Sequence, residues 1–215
     1  MKNYIIVMAL IAFFSCGDGS SEKTETNGMQ TSNSAVENEN KIIPNQNLQQ
    51  NGDYSELFNR NPKNCMLMEA KEIATELQLS EDRSVFVSNS YGNCAFSLKL
   101  NDGSPTKVSF MFIEWDKKTI QKELDSFRDI ESSFGADNDE GILVVSDTRD
   151  TNFGIRKARG DLFMLNPNYN GAILIRFGGV IEESTNKVTY TDAQKNERLN
   201  NAVTIANYLL KKYKK

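Results

Sequence analysis

The 215-residue sequence contains no histidine, and it has only three cysteines, four prolines and one tryptophan. Histidine is the commonest general base and the commonest metal ligand at neutral pH, so its absence removes the most frequent routes to acid–base and metal catalysis. The sequence also lacks a Gly-rich phosphate loop and a Gly-X-Ser-X-Gly nucleophile motif. We therefore predict no catalytic residue, no metal site and no cofactor.

An excess of basic residues is also missing. With 25 Lys and Arg against 29 Asp and Glu, the formal net charge is −4. An acidic chain has no general attraction to polyanions, which argues against a nucleic-acid partner. Long apolar runs are absent except for residues 4–14, and eleven residues are too few for a permanent transmembrane helix.

The N-terminal residues have the layout of a secretory signal peptide. Lys2 supplies a positive charge, residues 4–14 form the apolar run, and the small residue Ser15 precedes Cys16. This order is typical of signal peptides that are cleaved after a small residue. We predict a signal peptide over 1–15, a tether over 16–52 and a globular domain over 53–215.

The segment Phe13–Cys16 resembles the lipobox of bacterial lipoproteins, whose cysteine is linked to diacylglycerol, although Phe13 stands where that motif usually has Leu. The resemblance implies a lipid on Cys16 and attachment to the cell envelope, since two acyl chains suffice for stable anchoring. Gly17, where an Asp would favour the inner membrane, implies the outer membrane, on its periplasmic or its surface face. The alternative is a plain signal peptide with an incidental cysteine.

The predicted tether is rich in Ser, Thr, Asn, Gln, Glu and Lys, and residues 17–51 contain no aromatic side chain. Such a composition cannot bury enough apolar area to offset the entropy of ordering the chain. We interpret it as a solvated linker between the membrane and the domain, rather than as a recognition element.

Cys65 and Cys94 are the cysteines of the predicted domain. In an exported protein a cysteine pair is normally a disulfide, and we predict one here. A reactive thiol is the alternative, but the chain has no histidine to activate it.

Apolar periodicity predicts three helices and several strands in the domain. The helices are expected from Leu67 to about Leu79, from Asp116 to Gly135 with an apolar face that includes Phe127 and Phe134, and after a cap at Thr191. Alternating segments around 94–100 and 108–112 predict strands, and further strands are expected over 142–145, 153–155, 161–165 and 172–177. This order predicts an α+β fold with a single antiparallel sheet packed by helices and one disulfide.

A second resemblance concerns the domain as a whole. The segments Cys65-Met66-Leu67-Met68 with Glu72-Ile73, Cys94-Ala95-Phe96 and Leu199–Val203 are similar to those of a family of bacterial lipoproteins of unknown function with a PsbP-like fold. The resemblance implies a PsbP-like sandwich and an envelope location. It implies no catalytic residue.

Candidate binding residues lie in the loop Asn166–Gly171, where proline and asparagine neighbours are expected to expose Tyr169. We take Tyr169, Asn168 and Asn170 as the candidate binding residues, with a plain hairpin loop as the alternative. Tyr91 and Trp115 are interpreted as aromatic residues at the edge of the core.

Two acidic stretches, 137–141 and 147–152, invite a calcium interpretation but lack the ligand spacing of a calcium loop, so we interpret them as solvated loops. The basic residues of 211–215 either form a patch for a membrane or a partner, or complement the end of the last helix.

These features together predict a membrane-anchored, extracytoplasmic lipoprotein that binds an unknown protein or envelope ligand without catalysing a reaction. Two alternatives are left open. One is an immunity or inhibitor protein of the envelope, and the other is a glycan hydrolase that uses two carboxylates across a deep pocket.

Overall fold

The middle layer of the molecule is a seven-stranded antiparallel sheet with helices on both faces. The structure is a computed structural model that describes residues 48, 52–90, 92–135, 138–177 and 190–215. The predicted signal peptide, Cys16, most of the tether and Tyr91 lie outside these ranges. The described residues confirm the predicted α+β class.

The helices of the described ranges are α1 (Ser55–Phe58), α2 (Ala70–Glu76), α3 (Lys117–Phe134) and α4 (Asp192–Tyr213). The strands are β1 (Ser84–Ser90), β2 (Asn93–Lys99), β3 (Pro105–Ile113), β4 (Ile142–Val145), β5 (Asn152–Arg156), β6 (Asp161–Leu165) and β7 (Ala172–Arg176). Short 3₁₀ turns lie at Glu81–Arg83 and Lys157–Arg159. None of the helices in the described ranges combines the length and the apolar character needed to cross a bilayer.

The strand order is β1-β2-β3-β7-β6-β5-β4, and all neighbouring pairs are antiparallel. The first three strands form one meander. Helix α3 then carries the chain to the far edge, and β4 to β7 return strand by strand until β7 pairs with β3. Phe110 of β3 faces Ile175 of β7 in that central pairing.

The larger apolar cluster lies on the sheet face that carries α1, α2 and α4. Cys94, Phe96 and Leu98 of β2 are buried in it, as their alternation with Ala95, Ser97 and Lys99 predicted, although Ala95 is buried as well. Alternation places every second side chain of a strand on the same face, so one face of β2 supplies the core.

Helix α2 is shorter than its apolar periodicity indicated. It begins at Ala70, three residues after Leu67, and Glu76 is its last residue. Gln78 has a φ of 54°, a left-handed backbone conformation that cannot continue a right-handed helix.

Helix α3 covers the opposite face of the sheet. The Asp116 carboxylate accepts a hydrogen bond from the Thr119 N–H at 2.7 Å, which confirms the predicted N-cap, and Gly135 follows the last residue with a φ of 82°. Phe127 is fully buried, as expected. The burial expected for Phe134 is wrong, since its side chain is 66% exposed. The apolar cluster beneath α3 takes helix side chains only as far as Phe127, so the last turn lies beyond it.

Helix α4 packs on the same face as α2. Its predicted capping box is present, because the Gln194 N–H donates to the Thr191 hydroxyl at 3.2 Å and the Gln194 side chain accepts from the Thr191 N–H at 3.1 Å. Leu199, Ala206 and Leu210 of the predicted apolar face are buried. The cap therefore sets the point at which the chain enters the helical layer.

Candidate functional site

The predicted binding loop connects β6 to β7, and its three candidate side chains have different surroundings. Tyr169 is half-buried, its ring stacks on Phe58 with centroids 5.4 Å apart, and its hydroxyl accepts a hydrogen bond from the Tyr54 N–H at 2.8 Å. Asn168 and Asn170 are exposed. Tyr169 thus holds the start of the domain against this loop, and the two asparagines are its solvent-facing side chains.

Asn170 also borders an open cavity of about 540 Å³ at the end of β3. Trp115 and Arg60 line the same cavity. The Trp115 ring stacks on Phe163 with centroids 5.9 Å apart, so it lies at the edge of the α3 core, in agreement with its interpretation as an edge-of-core aromatic.

Cys65 and Cys94 form the predicted disulfide, with their sulfur atoms 2.09 Å and their Cα atoms 5.4 Å apart. Both residues are buried, so the bridge crosses the larger core and joins the segment before α2 to β2. The reactive-thiol alternative is wrong for this pair.

A buried hydrogen bond between Tyr54 and Asp150 holds the start of the domain in place. The hydroxyl of Tyr54, a fully buried residue, donates to the Asp150 carboxylate at 2.6 Å. The Lys214 ammonium lies 3.5 Å from the same carboxylate. Burial raises the pKa of Tyr54 to about 12, and the hydrogen bond to Asp150 acts in the same direction.

We expect the protein to lose stability between pH 10 and pH 12 through this pair. The unfolded chain ionises Tyr54 near its ordinary pKa of 10.0 and the folded chain near 12, so deprotonation favours unfolding. The contribution is complete below pH 10 and is lost as the pH rises through the folded-state pKa, by at most about 2–3 kcal/mol. Urea unfolding at pH values across this window measures it.

The variant Tyr54→Phe should flatten this alkaline loss, because phenylalanine has no proton to release. Tyr208 contributes with the same sign, since burial and its hydrogen bond to Glu72 raise its pKa to about 12. The double variant with Tyr208→Phe should therefore be flatter still. An alkaline loss as steep in both variants as in the wild type would contradict the assignment.

Arg198 lies in the second turn of α4 and is only 2% exposed. Among the described residues it is the largest buried side chain that is not apolar. Its guanidinium donates to the Thr106 hydroxyl at 3.2 Å and to the backbone carbonyls of Gln194 and Pro105 at 3.0 and 3.2 Å. A longer contact of 3.4 Å reaches the Ser104 hydroxyl. All these acceptors are uncharged.

The Tyr190 ring completes the surroundings of Arg198, with the guanidinium carbon 3.7 Å from the ring centroid. This distance is within the range of a cation–π interaction, in which the negative face of an aromatic ring attracts the cation. Asp102 is a neighbouring carboxylate, but in the described part of the chain no carboxylate comes within 4.0 Å of Arg198. The arginine is thus held rigidly by neutral groups.

Arg198 forms one wall of a cavity of about 540 Å³. The cavity is bordered by the 3₁₀ turn after β5, the residue after β7 and the first two turns of α4. Gly160 closes the turn with a φ of 64°, and its carbonyl accepts a hydrogen bond from the Phe177 N–H at 2.7 Å. In the described part of the chain, the charged side chains of the lining are Asp139, Lys157, Arg159, Asp192, Lys195 and Arg198.

The remaining acidic and basic stretches lie against other parts of the domain. Asp139 of the first acidic stretch borders the Arg198 cavity, and Asp150 of the second binds Tyr54. In the described ranges no group of three or more His, Cys, Asp or Glu side chains is placed to hold a metal ion. Of the C-terminal lysines, Lys212 binds the Glu72 carboxylate at 2.8 Å, so this part of the basic end packs against the domain.

Comparison with protein-family models, with curated proteins and with solved structures finds no significant match. The lipobox and the PsbP-like arrangement therefore stay predictions, and the function has to be argued from the residues themselves.

Sequence reasoning missed the Arg198 cavity. In the helical pattern of α4 an arginine next to Leu199 reads as a solvent-facing residue, because charged side chains are rarely buried. Its contacts on Ser104, Pro105 and Thr106 are more than 90 positions away in sequence. A hint was present in Tyr190, an aromatic residue just before a capped helix.

Proposed function

We propose that this protein is a lipid-anchored binding protein of the cell envelope, held by an acylated Cys16 and favouring the outer membrane. Its domain lies outside the cytosol and acts by binding a protein or an envelope ligand, without catalysing a reaction. The support comes from the N-terminal pattern together with the chemistry of the domain.

The observation that carries this proposal is the Cys65–Cys94 disulfide. Disulfides persist in oxidising compartments and are rare where glutathione and thioredoxin keep thiols reduced. A buried bridge in the domain is therefore what an exported chain would have, and a signal peptide over residues 1–15 would supply that export.

The carboxyl groups support binding rather than glycan cleavage. A hydrolase of that class needs a carboxylic acid whose pKa is raised, so that it can donate a proton. Hydrogen bonds from Ser104 and Gln194 lower the pKa of Asp102 to about 2. Hydrogen bonds from Thr119 likewise lower the pKa of Asp116. Burial acts to raise the pKa of Glu72, but hydrogen bonds, the largest from Lys212, outweigh it and lower that pKa.

Metabolic labelling of the full-length chain with radioactive palmitate in a bacterial host tests the anchor. We expect the wild type to incorporate label and to fractionate with membranes, because Cys16 is the attachment point. Cys16→Ser should abolish both, since a serine forms no thioether. The matched control is Cys65→Ala with Cys94→Ala, which removes the other two cysteines and should leave labelling intact.

Unlabelled wild-type protein, recovered unprocessed from the soluble cell interior, would contradict the proposal. Label retained after Cys16→Ser would also contradict it, because the lipid would then be attached elsewhere.

A further inference from the structure

We propose that the cavity around Arg198 binds a small organic phosphate monoester. This inference deepens the proposed binding role and rests on it, but it does not depend on the lipid on Cys16. The cavity combines a buried cation, a basic rim and the volume of a small-molecule site.

Arg198 places a buried positive charge beside the cavity. Moving a cation out of water is unfavourable, and proteins normally compensate a buried cation with a carboxylate. Arg198 is 2% exposed, and its acceptors in the described chain are two hydroxyls and two backbone carbonyls. A guanidinium has five N–H donors, so one of them is left without an acceptor among the described residues. An oxyanion in the cavity would supply both the missing charge and the missing acceptor.

The rim adds further positive charge. Among the described residues, six charged ones line the cavity and four of these are basic, so the described lining has a net charge of +2 in a chain whose formal net charge is −4. Asp192 is already engaged by the Lys195 ammonium at 3.0 Å. Lys157 and Arg159 form no ion pair with any described residue. A dianion would therefore meet a surplus of cations, and charge-assisted hydrogen bonds are the strong ones.

The rigidity of Arg198 favours binding as well. Its guanidinium is held between the Tyr190 ring and acceptors on β3 and α4, so little side-chain entropy is lost when a ligand arrives. The one N–H of Arg198 without an acceptor is therefore held in a fixed position, from which it can donate to an oxygen of a phosphate. The site is thus preorganised for an oxyanion.

The volume indicates an organic ligand. A cavity of about 540 Å³ is within the range of small-molecule sites, about 300–1,000 Å³, and is too large for a bare phosphate ion to fill. Phe177 and Leu199 in the lining provide apolar contacts for the organic part.

The test is a calorimetric titration of the full chain with three probes that share a benzene ring. Phenyl phosphate, benzoate and phenol carry two, one and no negative charges at about pH 8, which is above the second phosphate pKa of about 6. We expect one molecule of phenyl phosphate to bind per chain, benzoate to bind more weakly and phenol not to bind. Inorganic phosphate should compete with phenyl phosphate but bind less tightly, because it lacks the organic part.

The deciding variant is Lys157→Ala with Arg159→Ala, which removes the unpaired cations of the rim without touching the core. We expect phenyl phosphate affinity to fall at least about tenfold. The matched control is Lys117→Ala with Lys118→Ala, which removes two exposed cations at the start of α3, on the other face of the sheet, and should change the affinity less than about twofold.

Arg198→Met should abolish binding, provided that circular dichroism shows a folded chain; if it is unfolded, the Lys157 and Arg159 variant decides alone. Three results would overturn the proposal: no binding of phenyl phosphate, equal binding of phenol, or equal losses in the rim variant and its control. Benzoate binding more tightly than phenyl phosphate would overturn the phosphate assignment. Membrane labelling through Cys16 is measured separately, so a negative titration with intact labelling contradicts this inference and leaves the anchor standing.

Discussion

Replacing Cys65 and Cys94 together by alanine should lower the free energy of unfolding by roughly 3–4 kcal/mol. The two cysteines are 29 positions apart, and cross-linking a loop of that length removes this much conformational entropy from the unfolded chain on the chain-entropy model. The loop contains α2 and β1, which form the edge of the domain. The loss should appear as a lower urea midpoint together with a somewhat steeper slope, because the unfolded chain without the cross-link is less compact and exposes more surface.

Reductant provides the control for this experiment. Wild-type protein unfolded with a thiol reductant present should approach the stability of the double variant, while the double variant itself should not respond to reductant. A wild-type midpoint that reductant leaves unchanged would contradict the prediction, because the bridge would then contribute nothing.

The local part of the fold could be predicted from the sequence. Turns such as 101–104 and 166–171 lie between apolar segments that were predicted to be strands, and each turn connects neighbours in the sheet. Caps are equally local, because the Asp116 side chain binds an N–H only three residues away. These features depend on short-range chemistry that a single segment contains.

The central pairing of the sheet could not be predicted in this way. β3 and β7 are separated by α3 and three strands, and Phe110 faces Ile175 across 65 positions of sequence. Periodicity indicates which face of a strand is apolar, but it does not indicate which distant strand will form backbone hydrogen bonds with it. The exposure of Phe134 has the same origin, since helical spacing does not reveal where the sheet beneath a helix ends.

In the candidate site, too, the features that depend on local sequence could be predicted and those that depend on long-range contacts could not. Asn168 and Asn170 could be placed in an exposed loop, because proline and asparagine mark turns. The contact of Tyr169 with Phe58 joins two segments over 100 residues apart, so only the fold reveals that this ring is packed. The burial of Arg198 could not be predicted either, because a charged residue in an amphipathic helix is expected to face water.

Truncating Phe127 to alanine should destabilise the domain by about 3–5 kcal/mol, the range found for buried aromatic residues. Its side chain lies on the face of α3 that packs against the sheet, is fully buried, and contacts Phe163 in the apolar cluster there. The matched control is Phe134→Ala in the same helix. Because that ring is 66% exposed, its loss should change the unfolding free energy by no more than about 0.5 kcal/mol.

Gly154 of β5 explains why the Phe127 ring fits so closely to the sheet. A Cβ on residue 154 would lie 2.3 Å from the Cε2 of Phe127, a distance that non-bonded carbons do not reach. Gly154→Ala should therefore destabilise by about 1–3 kcal/mol, even though alanine normally stabilises a chain relative to glycine. The destabilisation comes from overpacking against one identified ring.

Because Gly154→Ala acts through its contact with the Phe127 ring, the effects of the two substitutions on the unfolding free energy should be strongly non-additive. In the Phe127→Ala background the space above Gly154 is empty, so the added methyl of Gly154→Ala meets no ring and partly fills the cavity. The double variant should be less destabilised than the sum of the single variants, with a coupling of about 0.5–3 kcal/mol measured by urea unfolding of all four proteins. Strict additivity would mean that the alanine at 154 acts through the strand backbone and not through the contact with Phe127.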